Sequence, residues 1–279
     1  MSYKIVIDSC GELPASYKED ARFESVPLTL TVEGEDIVDD DSFDQKSFLA
    51  KVAASPTCPK SSCPSPDRYK NAYDCPAEHI YAVTLSAELS GSYNSAMLGR
   101  QLLLEETPDK KIHVFNSRSA SIGETLIALK IQECEEAGMD FEETVAHVEA
   151  YIRGQHTYFV LENLETFRKN GRLSRAKALT ATVLNIKPIM GSTDEGNVQQ
   201  LDKARGINKA LVKMVDLAVA QAVDTEKKIL AISHCNCPER AQIVKEAILE
   251  RLPVRDVLLL DTAGVSSMYA NDGGIILVI

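Results

Sequence analysis

The residues best suited to chemistry in this chain are hydroxyls gathered where strand-like runs end. Leu89-Ser90-Gly91-Ser92-Tyr93 follows the apolar run His79–Leu85 and opens an amphipathic segment that extends to about Glu106. It offers a small N-cap residue, a glycine that lets the backbone approach a ligand, and a second hydroxyl. The unpaired N–H groups of a helix start attract an acidic group, and Ser90 and Ser92 add O–H donors. A capped helix after a strand accounts for the same residues without any ligand. A second set, Ser61-Ser62-Cys63-Pro64-Ser65, precedes a helix beginning near Pro66-Asp67. Ser65 followed by proline at N1 reads as an N-cap, which leaves Ser61 and Ser62 unexplained.

Other chemistries fit less well. Ser90 could act as the nucleophile of an esterase or acyltransferase with a base such as His234. However, no Gly-x-Ser-x-Gly elbow is present, and nothing in the sequence pairs a histidine with Ser90. His234-Cys235-Asn236-Cys237 is the nearest approach to a metal cluster, but two ligands do not close a tetrahedral site, so neither metal nor cofactor is expected. The side chains of Asp39-Asp40-Asp41 point in different directions, and they read as a solvated turn before a helix from Phe43. No phosphate-binding glycine motif follows a strand, which argues against a nucleotide site.

The elements that must position these residues alternate. Tyr3–Ile7, His79–Leu85 and Lys111–Phe115 are short apolar runs ending in Asp8-Ser9, Thr84-Ser86 and Asn116-Ser117. As strands of one parallel sheet they would bring these turns to a common edge and converge hydroxyls on a crevice. Ser55–Pro66 reads as a rigid loop. Helices are expected at Ile122–Ala137 and Phe141–Arg153, with a boundary near Gly154 separating units 1–155 and 156–279. Beyond it, Leu164–Lys169 is a short helix stopped by Asn170-Gly171, and Arg172-Leu173-Ser174 opens another. Asn185–Met190 and Val198–Ala204 flank a hairpin turn. Lys228–Ser233, Pro238–Leu252, Val254–Asp261 and Ile275–Ile279 complete a second α/β unit.

A chain of 279 residues with 44% hydrophobic and 25% charged residues suits two such units. The net charge of −11 argues against nucleic-acid or anionic-membrane binding. No run of about 18 apolar residues is present, so no membrane anchor is expected. The start of the chain lacks a signal-peptide pattern, and the seven cysteines read as free thiols, both pointing to the cytoplasm.

Taken together, the motifs resemble the DegV family, bacterial fatty-acid-binding proteins that serve as acyl-carrying subunits of a fatty acid kinase. The resemblance rests on Ile7-Asp8-Ser9, Val26-Pro27-Leu28, Ser61-Ser62-Cys63-Pro64-Ser65 and Leu89–Ala96. Further on it includes Asn116-Ser117, Asn170–Ser174 and Leu184-Asn185-Ile186-Lys187-Pro188-Ile189. It implies two α/β domains holding a long-chain fatty acid in a cleft or tunnel between them. The carboxylate would meet Ser61, Ser62, Ser90, Gly91 and Ser92. A separate ATP-dependent kinase subunit would then phosphorylate it, the carrier itself doing no chemistry. Ser9, Ser117, Arg172, Lys187 and Arg205 are expected near the head group or on the kinase face. Two departures stand out: Cys63 replaces an amide side chain, and Ala270 falls where the family commonly carries a histidine.

Overall fold

Short apolar runs alternating with amphipathic segments build an α/β structure, and a computed structural model describes it for residues 2–173 and 185–279. The chain begins β1 (Tyr3–Asp8), α1 (Ala15–Lys18), β2 (Phe23–Val26), β3 (Thr29–Val32), β4 (Glu35–Val38), α2 (Gln45–Ala54) and β5 (Lys60–Ser62). It continues through α3 (Pro66–Tyr73), β6 (His79–Thr84), α4 (Ser92–Glu106), β7 (Lys111–Asn116), α5 (Ile122–Glu136) and α6 (Phe141–Arg153). Next come β8 (Thr157–Val160), α7 (Glu165–Lys169), β9 (Ile186–Ser192), β10 (Val198–Arg205) and α8 (Ile207–Gln221). The last elements are β11 (Ile229–His234), α9 (Pro238–Leu249), β12 (Asp256–Asp261), α10 (Gly264–Ala270) and β13 (Ile275–Val278). The helix expected to open at Arg172–Ser174 lies, from Ser174 on, outside the described residues, as does Leu184.

The first sheet has the order β2-β1-β6-β7 and is parallel throughout. Every residue of β6 is buried, as a strand covered by helices on both faces requires. Parallel strands end on one edge, so the turns after Asp8, Thr84 and Asn116 do lie side by side. The second sheet is mixed, β10-β9-β8-β13-β11-β12. Helix α5 is packed between the two. Its Ile127, Ala128 and Ile131 meet Ile5 and Tyr81, while Ile122 and Leu126 meet Ala231 and Val278.

A small antiparallel sheet, β4-β3-β5, departs from expectation. Lys60–Ser62 forms a strand because β3 presents an open edge, and the register pairs Leu30 with Ser61 and Thr29 with Ser62. Asp39 is a second correction: it is 3% exposed, not solvated. Its carboxylate accepts the N–H groups of Gly264 (2.7 Å) and Val265 (2.9 Å) and the Ser9 hydroxyl (3.0 Å). Asp44, rather than the triple-aspartate turn, caps α2 by accepting from the Ser47 N–H. Helix α10 itself was not anticipated. It is short and buried on nearly all sides, so no polar face gives it a helical period.

Candidate ligand site between the sheets

A cavity of about 300 Å³ opens between the C-terminal edge of the first sheet and the face of the second. This is at the lower end of the usual range for small-molecule sites, about 300–1,000 Å³. Its walls are mostly apolar. Leu85 and Leu89 come from the segment after β6, Phe159 and Leu161 from β8 and its end, Val265 from α10 and Ile276 from β13. Polar side chains such as Ser119, Thr157 and Arg118 also enter the lining, but apolar atoms make up most of its surface, as in a site for a ligand with a long apolar part.

The pairing of β5 with β3 carries Ser61 and Ser62 to this cavity, and the start of α4 carries Ser90 and Gly91. Ser90 Oγ accepts the Ser92 N–H (3.1 Å), so it satisfies one of the orphan donors of α4 from one position before the N-cap, Gly91. A Cβ at Gly91 would sit 3.1 Å from the Cys63 sulfur, so a glycine lets the two loops approach closely. Arg172 lines the same cavity and donates Nε–H to the Leu89 carbonyl (3.1 Å). Ser61, Ser62, Ser90, Gly91 and Arg172 are therefore brought together.

The remaining expected residues are placed elsewhere. Ser92 is 0% exposed and lies behind the wall, its Oγ 3.1 Å from Ser90 Oγ. Ser9 donates to Asp39 and accepts the Leu28 N–H, and Ser117 donates to the Ser119 carbonyl. These two hydroxyls serve the protein itself and do not line the cavity. Lys187 is held by Glu162 (2.6 Å), which Arg240 also contacts (3.0 Å). Arg205 is exposed at the end of β10. His234 faces Asp261 (3.3 Å), and among the described residues no histidine lines the cavity. Among the described residues, then, no histidine stands beside Ser90 as a base, which disfavours the hydrolase reading.

Several lining residues escaped the sequence. Tyr269 packs against Phe167 with the rings tilted by 52° and centroids 4.7 Å apart. Burial pushes its phenol up, while the Arg172 charge and the Ser61 hydroxyl pull it down. Ala270, adjacent, presents only a methyl group to the cavity. The β9–β10 turn closes the far wall: Ser86 Oγ donates to the Gly196 carbonyl (2.8 Å) and Arg118 Nη1 to that of Asp194 (3.3 Å). Gly196 has φ +92°, a conformation glycine adopts without strain.

A layer of buried acids lies behind the lining residues Cys10, Ser121 and Ser266. Burial raises Asp8 to about 6, against the opposing pull of the Leu85 and Cys10 amides. It raises Glu12 to about 7, although Ser121 Oγ donates to it at 2.9 Å. Asp39 is likewise raised to about 6, and Glu124 is pushed well above its ordinary range by burial and by the Asp8 charge. The only signal in the sequence was an acid directly following an apolar strand.

A family model described as "Uncharacterised protein, DegV family" matches residues 2–279. The chain belongs to the DegV family. A DegV domain-containing protein of Streptococcus pneumoniae is 35% identical over 99% of this chain and 98% of its own length. The crystal structure of a DegV family protein from Ruminococcus gnavus, refined with vaccenic acid, covers 100% of both chains at 59% identity and a TM-score of 0.98. The Fatty Acid Kinase (Fak) B3 protein of Streptococcus pneumoniae, loaded with linoleic acid, is similar over 100% of this chain and 99% of its own. It shares 34% identity, with a TM-score of 0.90.

Proposed function

We propose that this DegV protein binds one long-chain fatty acid in the cavity between its sheets, with the carboxylate at Ser61, Ser62, Ser90, Gly91 and Arg172. The observation that carries this is the lining: a mostly apolar cavity to which β5 and the β6–α4 loop bring Ser61, Ser62 and Ser90 together with Arg172, while Arg118 and further hydroxyls reach it from other segments. Likeness to proteins crystallised with vaccenic and linoleic acids supports it. Ser92 positions Ser90 from behind. On this reading the chain divides into units 1–155 and 156–279, the ligand lying between them.

The energetics favour a carrier. About fifteen buried methylenes at about 0.8 kcal/mol each give a gross gain of about 12 kcal/mol. Immobilising the ligand offsets several kcal/mol of this, and an unpaired buried carboxylate would offset more. The tail supplies affinity, and the hydroxyls and Arg172 orient the head group. We infer that the protein presents that carboxylate to a separate ATP-dependent kinase subunit in the cytoplasm and does no chemistry alone. Likeness to Fak B3 supports this partnership.

Incubating the protein with radiolabelled fatty acid, ATP and a cognate kinase subunit tests the second half. Acyl phosphate should form only when both proteins are present. Turnover of an activated ester by this protein alone would favour the esterase reading instead.

A further inference from the structure

Behind the Ser90–Ser92 turn lies a polar cluster that ligand binding leaves without a task. Asp8, at the end of β1, and Glu124, in the first turn of α5, are each 0% exposed, and polar atoms of Asp8, Cys10 and Glu124 lie within 4.8 Å of one another. Asp8 accepts the N–H groups of Leu85 (3.0 Å) and Cys10 (3.1 Å), which favour its ionised form. Glu124 receives no N–H: among the described residues neither carboxyl oxygen meets a partner at full hydrogen-bond geometry, its polar neighbours being Asp8 and Cys10, and the buried Tyr69 phenol nearby is likewise unpaired. The ionisable groups facing the pair are Cys10 and Glu12 from the turn after β1 and Tyr69 from α3, all of them acids. Two carboxyls this close in a dry site do not both ionise, so the pair shares a proton.

Hydroxyls join this cluster to the cavity. Ser92 adjoins both Asp8 and Tyr69, its Oγ is 3.1 Å from Ser90 Oγ, and Ser90 lines the cavity. Ser90 Oγ accepts the Ser92 N–H with one lone pair, which leaves the second to accept a ligand proton while its own O–H is directed at Ser92 Oγ.

We propose that the Asp8–Glu124 pair takes up the head-group proton of an entering fatty acid through Ser90 and Ser92. This rests on the ligand reading above. The ligand O–H bond breaks as its proton passes to Ser90 Oγ; the Ser90 proton moves to Ser92 Oγ, and the Ser92 proton moves to the pair. Both hydroxyls are restored, the ligand remains as a carboxylate beside Arg172, and the pair holds two protons. Entry in the neutral form spares a charge the passage along an apolar cavity. Loss of the proton then leaves the ionised oxygen that accepts a phosphoryl group. Free fatty acid near neutral pH is ionised, so binding withdraws one proton from solution overall.

Calorimetric titration of the full chain with dodecanoic acid, near neutral pH in two buffers of different ionisation heat, counts that proton. Wild type is expected to take up close to one proton per ligand, with affinity falling up to about tenfold per pH unit above neutrality. Asp8→Asn removes the ionised member of the pair, the one left to accept the second proton. The variant should still bind while cutting the uptake about threefold or more and flattening the pH slope. Equal uptake by the two proteins, or wild-type binding with no uptake, overturns the proposal, and the wild-type count alone decides if the variant does not fold. Absence of any binding by wild type, of dodecanoic acid and of a long-chain acid alike, overturns the ligand reading itself.

Discussion

Ser90 serves the ligand and the helix with the same oxygen, and its replacement separates the two roles. Ser90→Ala removes one hydrogen bond to a charged group, so fatty-acid affinity should fall about tenfold in a direct binding titration. Stability should fall by only about 1 kcal/mol, the cost of one lost cap contact. Unchanged affinity would return Ser90 to a purely local role. Arg172 touches the same turn through Leu89. Arg172→Glu sets a negative charge beside the bound carboxylate, so kinase-dependent turnover should fall more than lipid binding, which the tail sustains, and unchanged turnover would show its role to be wrongly assigned. At this scale the hydroxyl pair at Ser61-Ser62 and the Ser90-Gly91 turn were legible as a cluster, because Ser65 already supplies the cap of α3 and leaves Ser61 and Ser62 over, whereas Ser9 and Ser117 prove to serve the protein itself. Tyr269 was not, since a lone tyrosine in a run without periodicity carries no sign of which cavity it faces.

The elements around the cavity are held by a small number of contacts between distant segments. Asp39 receives two amide N–H groups at the start of α10, a helix that contributes Val265, Tyr269 and Ala270 to the lining. Asp39→Ala leaves those donors buried without an acceptor, and a loss on the order of 2–4 kcal/mol is expected in chemical denaturation, with ligand affinity falling alongside. The β9–β10 turn makes a similar case. A Cβ at Gly196 would collide with Ser86 Oγ and lie 2.7 Å from Arg118 Cα, at a φ of +92° that L-residues resist. Gly196→Ala should therefore lift the hairpin, seen as faster ligand release and a lower Tm. Most strands and long helices could be read from apolar runs and caps, such as Ser65 before Pro66. Strand β5 and helix α10 could not, because one depends on a remote edge and the other is buried all round.

Over the whole molecule, the buried acids set the response to pH. Asp8 and Asp39 are raised to about 6 and Glu12 to about 7, so the folded state holds protons that the unfolded chain releases near pH 4. Their contribution to stability is fully present below the unfolded values and is lost as pH rises through about 6–7. The Tm should accordingly be higher near pH 5.5 than near pH 8, by an amount corresponding to a few kcal/mol. A Tm that climbs across that interval would contradict the assignment of these groups as buried and raised. Apart from the acid that follows an apolar strand, none of this was visible in the sequence, where Asp8, Glu12, Asp39 and Glu124 look like ordinary turn or helix-start acids and only the packing of α5 and α10 encloses them. The α/β class and the meeting of strand-end turns were visible, because parallel strands dictate a common edge.

The central claim is that the cavity is occupied by a fatty acid. Native mass spectrometry of the purified protein, followed by solvent extraction of whatever it carries, tests this most directly. One long-chain fatty acid per chain is the predicted result. Protein that carries none and fails to take up added long-chain fatty acid would contradict it.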